Sequence, residues 1–363
     1  MVATLRGALQ PTRFLGDTMM EQRTNEAPIL AVPVTDPAGA MAVCRCLYER
    51  LHAAVRGRDE VIELVLVALL ADGHVLLEDY PGSGKTTLAK ALGESIVDDK
   101  PDDEIPSFRR IQFTPDLLPS DVTGVSVFDA QTGKFHFKRG PVFAYVVLAD
   151  EINRTSPKVQ AALLEAMAEK QVTVDNVTYK LDDLFFVMAT QNPLDLAGTY
   201  PLPVAQLDRF LFKIRMEHIS REAELEVLAS CQERRDGLAT RNIPRVTRSQ
   251  IVAARGIIEK SCAVAPAIHE CLVDIARALR ADRRVLQGAS TRSLVLTLPA
   301  LRARAMLHGR DFVTAEDIAV LAPRIFGHRL ELAPGVEDAG VIVAECSREP
   351  LERLARLSLQ PWR

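Results

Sequence analysis

Residues 74–88 read HVLLEDYPGSGKTTL. An apolar strand (Val75, Leu76, Leu77) runs into a turn bearing Pro81, Gly82, Ser83 and Gly84. Lys85, Thr86 and Thr87 then open an alanine- and leucine-rich helix. Strand, glycine turn and helix together aim backbone N–H groups at phosphate oxygens, at the end of the helix where its dipole is positive. Lys85 would reach the outer phosphates, and the Thr86 hydroxyl would sit on Mg²⁺. Pro81 to Thr87 are therefore the candidate nucleotide-binding residues. One position departs from the pattern G-x-x-x-x-G-K-[ST], because Asp79 stands where the first glycine is expected. A strand–turn–helix corner with an incidental Gly-Lys-Thr is the competing reading, and the rest of the chain decides.

A second apolar run, Tyr145 to Ala149, is unbroken, as a strand covered on both faces requires, and it ends on Asp150-Glu151. Phosphoanhydride hydrolysis needs a held Mg²⁺, an activated water and neutralised charge. Asp150 would hold the ion, with Thr86 as the other metal-side group, and Glu151 would polarise the attacking water. A third buried run, Leu184 to Ala189, leads to Thr190-Gln191-Asn192, where Asn192 can orient the water or read the γ-phosphate; a turn role beside Pro193 is the alternative. Arg209, ahead of Phe210, could neutralise a neighbouring subunit's γ-phosphate if it lies at a subunit edge, and otherwise forms a surface ion pair. Arg292 begins a later helix and could close a lid over nucleotide. Arginine offers the planar, permanently charged donor fork such roles prefer.

Around these landmarks the chain divides into four parts. Residues 1–41 carry Pro11, Pro28, Pro33 and Pro37 and no sustained period, so they read as a flexible leader with one extended piece near Ile29 to Val34. Residues 42–216 form an α/β nucleotide-binding domain. It contains an inserted hairpin in 114–140 and a second hairpin in 171–181, around Asp175-Asn176. Residues 217–333 repeat at helical period only, with Thr314 and Asp317 as a capping box, and form an all-helical lid. Residues 334–363 start loosely and end in a short amphipathic helix near Glu349 to Leu359.

The formal net charge is −4 and the sequence pI near 6.0, which argues against a broad nucleic-acid surface, although Lys134, Lys138 and Arg139 cluster on the inserted hairpin. The longest apolar run, Val61 to Ala71, contains Glu63 and is too short to span a bilayer, and no signal peptide opens the chain. The six cysteines lack metal-ligand spacing and fit reduced thiols in a cytoplasmic protein.

The stretches ADEINRTSPKVQAALLEAMAEKQVTVDNVTY (149–179), ATQNP (189–193), GTYPLPVAQLDRFLF (198–212), GASTR (288–292) and HGRDFVTAEDI (308–318) resemble the MoxR family of AAA+ ATPases, in the helix-2-insert clade. The resemblance spans about residues 44 to 335. It implies an α/β core with a five-stranded parallel sheet flanked by helices, followed by the helical lid. It also implies ATP and Mg²⁺ as ligands, with Lys85 and Thr86 in Walker A, and Asp150 and Glu151 in Walker B. Asn192 would be sensor 1, Arg209 the arginine finger and Arg292 the sensor 2 arginine, with 114–140 as the helix-2 insert. Relatives assemble as rings, typically hexameric, and work with a von Willebrand factor A domain protein on a client, in complex assembly or in metal-centre or cofactor maturation. Val204 stands where the family usually has glutamate, and Thr291 where it has proline. The leading expectation is an ATP-driven remodelling factor. A nucleic-acid-associated motor and a non-catalytic nucleotide-gated module are the alternatives.

Overall fold

The computed structural model describes residues 27–78, 82–100, 105–192, 198–235, 237–336 and 338–358. Residues 1–26 of the leader, Asp79, Pro81, Pro193 and Leu359 lie outside that set. In chain order the elements begin with α1 (Pro37–Ala54), α2 (Asp59–Leu70), β1 (Val75–Glu78), α3 (Lys85–Glu94), β2 (Ile96–Val97) and β3 (Phe108–Gln112). Then come α4 (Pro119–Thr123), the hairpin β4 (Gly124–Asp129) and β5 (Lys134–Arg139), β6 (Val146–Asp150) and α5 (Pro157–Glu169). The hairpin β7 (Gln171–Val174) and β8 (Val177–Lys180), then β9 (Phe186–Gln191), α6 (Val204–Leu207) and β10 (Phe212–Arg215) complete the α/β part. The lid holds α7 (Arg221–Ala229), α8 (Cys231–Arg235), β11 (Val246–Thr247), α9 (Arg248–Ser261), α10 (Pro266–Ala281), β12 (Val285–Gln287), α11 (Thr291–Leu307), α12 (Ala315–Phe326), β13 (Glu331–Leu332) and α13 (Ala339–Ser358).

Five strands form one parallel sheet in the order β10-β1-β9-β6-β3. Successive side chains of a strand point to opposite faces, and that alternation builds the core in two halves. Val75, Leu77, Val146, Leu148, Phe186 and Met188 join a cluster with the first three helices and the lid. Leu76, Val147, Ala149, Val187 and Ala189 join a second cluster with Val159, Leu163 and Met167 of α5. Apolar burial on both faces explains why these strands read as continuous apolar runs rather than alternating ones. The carboxyl edge of the sheet is polar, with Glu78, Gln112, Asp150 and Gln191 ending four of its strands.

The lid is fastened to the α/β part by charged groups. Arg304 of α11 donates to Glu63 of α2 at 2.8 Å and to the fully buried Asp317 at 2.6 Å, which also accepts from Arg310 at 2.8 Å. Asp317 caps α12 as well, taking the Thr314 N–H at 2.8 Å. Arg248 of α9 donates to Asp182 at 2.8 Å, and Arg255 donates to Asp72 and to the Asp183 carbonyl at 2.7 Å. Burial alone would raise the Asp182 carboxyl, but hydrogen bonds from Arg248 and Lys100 outweigh it and hold it below the usual range.

Two element boundaries differ from the sequence reading. Helix α1 begins at Pro37 rather than Ala42, because Asp36 caps it by accepting the Gly39 N–H at 2.8 Å and proline suits a first turn. Ahead of it, Leu30 donates to the Arg245 carbonyl at 2.8 Å, so the extended piece lies against the lid. Helix α13 starts at Ala339, ten residues before the expected short helix, and carries Pro350 inside it. Ile342, Val343, Ser347 and Leu354 are buried against the lid, and tertiary packing outweighs the hydrogen bond that proline removes.

Candidate functional site

Gly82 and Gly84 adopt φ of +90° and +95°, a left-handed backbone that glycine reaches without the Cβ penalty. A Cβ built on either would meet no atom within 4 Å, so conformation rather than space demands glycine, and the turn is open on its outer side. Gly84 is the N-cap of α3 and offers no side-chain acceptor, so the first-turn N–H groups keep their capacity for an anion. Arg58 holds the turn from below, donating to the Ser83 carbonyl at 3.2 Å and to the Glu217 carbonyl. Beside it opens a cavity of about 400 Å³ with Ala54, Val55, Ile219 and Val227 in its walls, apolar surfaces suited to a planar base. Lys85, Thr86 and Thr87 occupy the first turn of α3, with Thr86 exposed.

Two strand spacings away, roughly 10 Å, β6 delivers Asp150 and Glu151. Thr190, fully buried on the intervening β9, holds both: its hydroxyl donates to Asp150 Oδ1 at 2.7 Å and accepts the Glu151 N–H at 2.8 Å. Glu151 has φ 59° and ψ 48°, a left-handed conformation that costs a non-glycine residue about 1 kcal/mol or more. The kink turns its side chain out of the sheet. There Gln112 Nε2 donates to Glu151 Oε2 at 2.9 Å, and Arg154 Nε lies 3.3 Å from the same oxygen. Asp150 Oδ2 accepts twice from Arg110, at 2.6 and 3.1 Å. At the neighbouring strand ends, Gln191 donates to Glu78 at 2.5 Å and Lys213 pairs with Glu78 at 2.7 Å. Asn192, half-buried, follows Gln191 on the same edge.

Among the described residues, no group of three or more His, Cys, Asp or Glu side chains converges on a metal-sized point. The donor set is one exposed hydroxyl, Thr86, and one carboxylate, Asp150. That fits Mg²⁺, which keeps several waters and binds through one or two carboxylates plus substrate phosphates.

The two arginines are elsewhere. Arg209 lies between α6 and β10, and two residues on, the Leu211 N–H donates to the His74 carbonyl at 2.8 Å, just before β1 starts. Arg209 therefore stands at the amino edge of the sheet, opposite Glu151, separated by the roughly 10 Å length of a four-residue strand. Arg292, the residue that could close the lid over bound nucleotide, starts α11. Its Nε lies 3.7 Å from Asp208 Oδ2, next in the chain to Arg209, because α11 runs along α2 with Arg304 at Glu63 and leaves its amino end at the far edge. Thr291, in place of proline, starts α11 behind a Ser290 cap that accepts the Ser293 N–H at 3.1 Å.

Sequence reasoning assigned no role to Thr190, Gln112, Arg110, Asp208 or Arg329. Arg110 and Gln112 did carry a signal: two polar residues at i and i+2 share one face of β3, opposite the buried Ile111.

The family described as "ATPase family associated with various cellular activities (AAA)" matches residues 74–212, and an AAA lid domain matches 277–347. The Bacillus subtilis protein YeaC is 47% identical over 301 residues, covering 83% of this chain and 91% of its own. The Mycobacterium tuberculosis chaperone MoxR1 is 37% identical, over 79% of this chain and 75% of its own. A solved structure of a proposed ATPase from Cytophaga hutchinsonii superposes with a TM-score of 0.71 at 34% identity, over 88% of this chain and 96% of that one. With the five-stranded parallel sheet, the glycine-flanked helix start and the helical lid in place, the chain belongs to the MoxR family of AAA+ ATPases.

Proposed function

We propose that this chain hydrolyses ATP to ADP and phosphate, in a ring of identical subunits, to remodel or mature a partner protein. The observation that carries the reading is the Thr190 hydroxyl, which fixes Asp150 and Glu151 together on the sheet edge that also presents the open glycine turn. The amides of the turn and Lys85 bind the phosphates, and the apolar cavity beside them takes the base. Thr86 and Asp150 would hold Mg²⁺, which would supply neutralisation of phosphate charge when bound. Glu151 accepts a proton from the attacking water as its oxygen closes on the γ-phosphorus and the bond to the ADP oxygen breaks. Asn192 orients that water.

Arg209 and Arg292 act on the nucleotide of the neighbouring subunit, since both lie at the edge opposite their own Glu151. That geometry is heterologous, the contact that closes into rings. A relative named a chaperone supports remodelling as the output, and the β4–β5 hairpin, with Phe128 and Phe135 exposed at its tip, offers a surface for the client or for a von Willebrand-type partner. Val204, exposed at the start of α6, places an apolar side chain near the Arg209 interface where the family usually has an acid.

The test is steady-state ATP hydrolysis across protein concentration for wild type, Glu151→Gln and Arg209→Ala. Wild-type turnover per subunit is expected to rise with assembly, with both variants near background. An active Arg209→Ala would remove the shared-site reading.

A further inference from the structure

The segment carrying Arg209 is gripped by the lid of its own subunit. Arg329, buried in the turn after α12, donates through Nε to Asp208 Oδ1 at 2.7 Å, through Nη2 to the Phe210 carbonyl at 2.7 Å, and through Nη1 to the Leu211 carbonyl at 3.2 Å. His328 Nε2 donates to the same Phe210 carbonyl at 3.0 Å. The residues on both sides of Arg209 are thus fixed, while its own guanidinium makes no hydrogen bond or ion pair among the described residues. The second oxygen of Asp208 faces Arg292 at 3.7 Å. One carboxylate therefore pairs with two arginines of the lid, 329 and 292, and directly precedes Arg209 in the chain.

Arg329 and Arg292 flank the same carboxylate, and without that counter-charge they would repel each other and splay apart. We propose that Asp208 is a positioning residue: clamped by Arg329, it holds Arg209 and Arg292 as one preorganised pair for the neighbouring subunit's nucleotide. The proposal rests on the shared-site reading and deepens it. Its physical content is that a finger works only if its guanidinium is placed to within a fraction of an ångström before the charge develops. Asp208 lies in the turn rather than in the site, so it acts through Arg209 and Arg292. The lid supplies the rigid floor. Because the lid is tied to its own α/β part, a rotation of the whole subunit resets the arginines it offers to the next.

The experiment is subunit complementation. Asp208→Asn keeps shape and removes the charge, leaving that subunit's own Lys85, Asp150 and Glu151 intact. Alone it is expected to lose about tenfold or more in kcat with KM within about twofold, because the loss is confined to the transition state. Asp208→Glu should restore part of the rate. Glu151→Gln subunits are inactive but present a sound Arg209. Mixed in equal amounts with Asp208→Asn, they should raise activity above either alone, to about a quarter of wild type for random assembly of a head-to-tail ring.

Arg209→Ala mixed with Glu151→Gln is the control. If the control complements and Asp208→Asn does not, Asp208 serves only its own subunit's fold and the proposal is overturned. Wild-type kcat for Asp208→Asn overturns it equally. If neither mixture complements, the shared-site reading itself fails and this inference falls with it.

Discussion

Gln112 donates through Nε2 to Glu151 Oε2 at 2.9 Å, linking the ends of two neighbouring strands. The partner of Gln112 in register is Asp150, so the kink at Glu151 carries its carboxylate back over the adjacent strand. An acceptor fixed in this way keeps the orientation a general base needs. Replacing Gln112 with leucine is expected to lower kcat about tenfold with little change in KM, since phosphate binding is untouched. Unchanged kcat in steady-state assays would mean that Glu151 leaves Gln112 during turnover.

Thr190 is more deeply committed. Thr190→Val keeps the volume but removes one hydroxyl that serves two partners, leaving the Glu151 N–H and an Asp150 oxygen short of a hydrogen bond. The expected cost is about 1–3 kcal/mol in denaturant unfolding, with a fall in kcat larger than that for Gln112. A variant that is destabilised yet fully active would reduce Thr190 to a scaffold residue.

Arg110 donates to the carboxylate assigned to Mg²⁺, so the two cations compete for Asp150. The Arg110 side chain is 48% exposed, which limits the pair to less than about 1 kcal/mol. Arg110→Ala should therefore lower the Mg²⁺ concentration for half-maximal activity by no more than about fivefold. A rise in that concentration would show that Arg110 orients Asp150 rather than screening it.

Two buried histidines set an acid limit. His74 accepts the Val187 N–H through Nδ1 and donates through Nε2 to the Met167 carbonyl, and burial pushes its pKa down to about 4. His328, buried beside Arg329, is pushed down to about 3, by burial first and by the Arg329 charge second. In the unfolded chain both titrate near 6.5, so the unfolded state binds more protons as pH falls, and stability is lost downward from there toward the folded values. Between about pH 7.5 and about pH 5 the loss is roughly 2 kcal/mol per histidine. Urea titrations at the two pH values check it, and a His328→Gln variant should recover about half of the difference.

Asp317→Asn should destabilise by about 3–5 kcal/mol, because it strands Arg310 without a counter-charge and leaves the buried Arg304 paired only with the more exposed Glu63 and Glu316. A thermal midpoint within a few degrees of wild type would show that water replaces the lost pair.

The phosphate turn, the paired acids after Tyr145–Ala149 and the parallel sheet were legible because each is written in contiguous residues: glycines at positive φ, apolar runs, and polar strand ends. What stayed hidden depends on register or on distance along the chain. Gln112 meets Glu151 only once β3 and β6 are aligned, and Arg329 meets Asp208 across 121 residues. The direction of Arg292 could not be read from its own helix start, since the packing of α11 on α2 decides it. Helix α13 was shortened in the reading because Pro350 is a strong local breaker, and only the buried faces of α10 and α12 overrule it.

The charged ties of the lid to α2 and to the loops before β1 and β9 have a mechanical consequence. Arg304, Arg255 and Arg248 brace the helical domain against the nucleotide domain along its back, and pulling Arg248 loose from the buried Asp182 is costly. Each subunit is therefore a stiff lever rather than a jaw. In the proposed ring, strain released at one phosphate site would then pass through the Arg209 turn to the next lever rather than into bending within the chain, which would put the joints between copies.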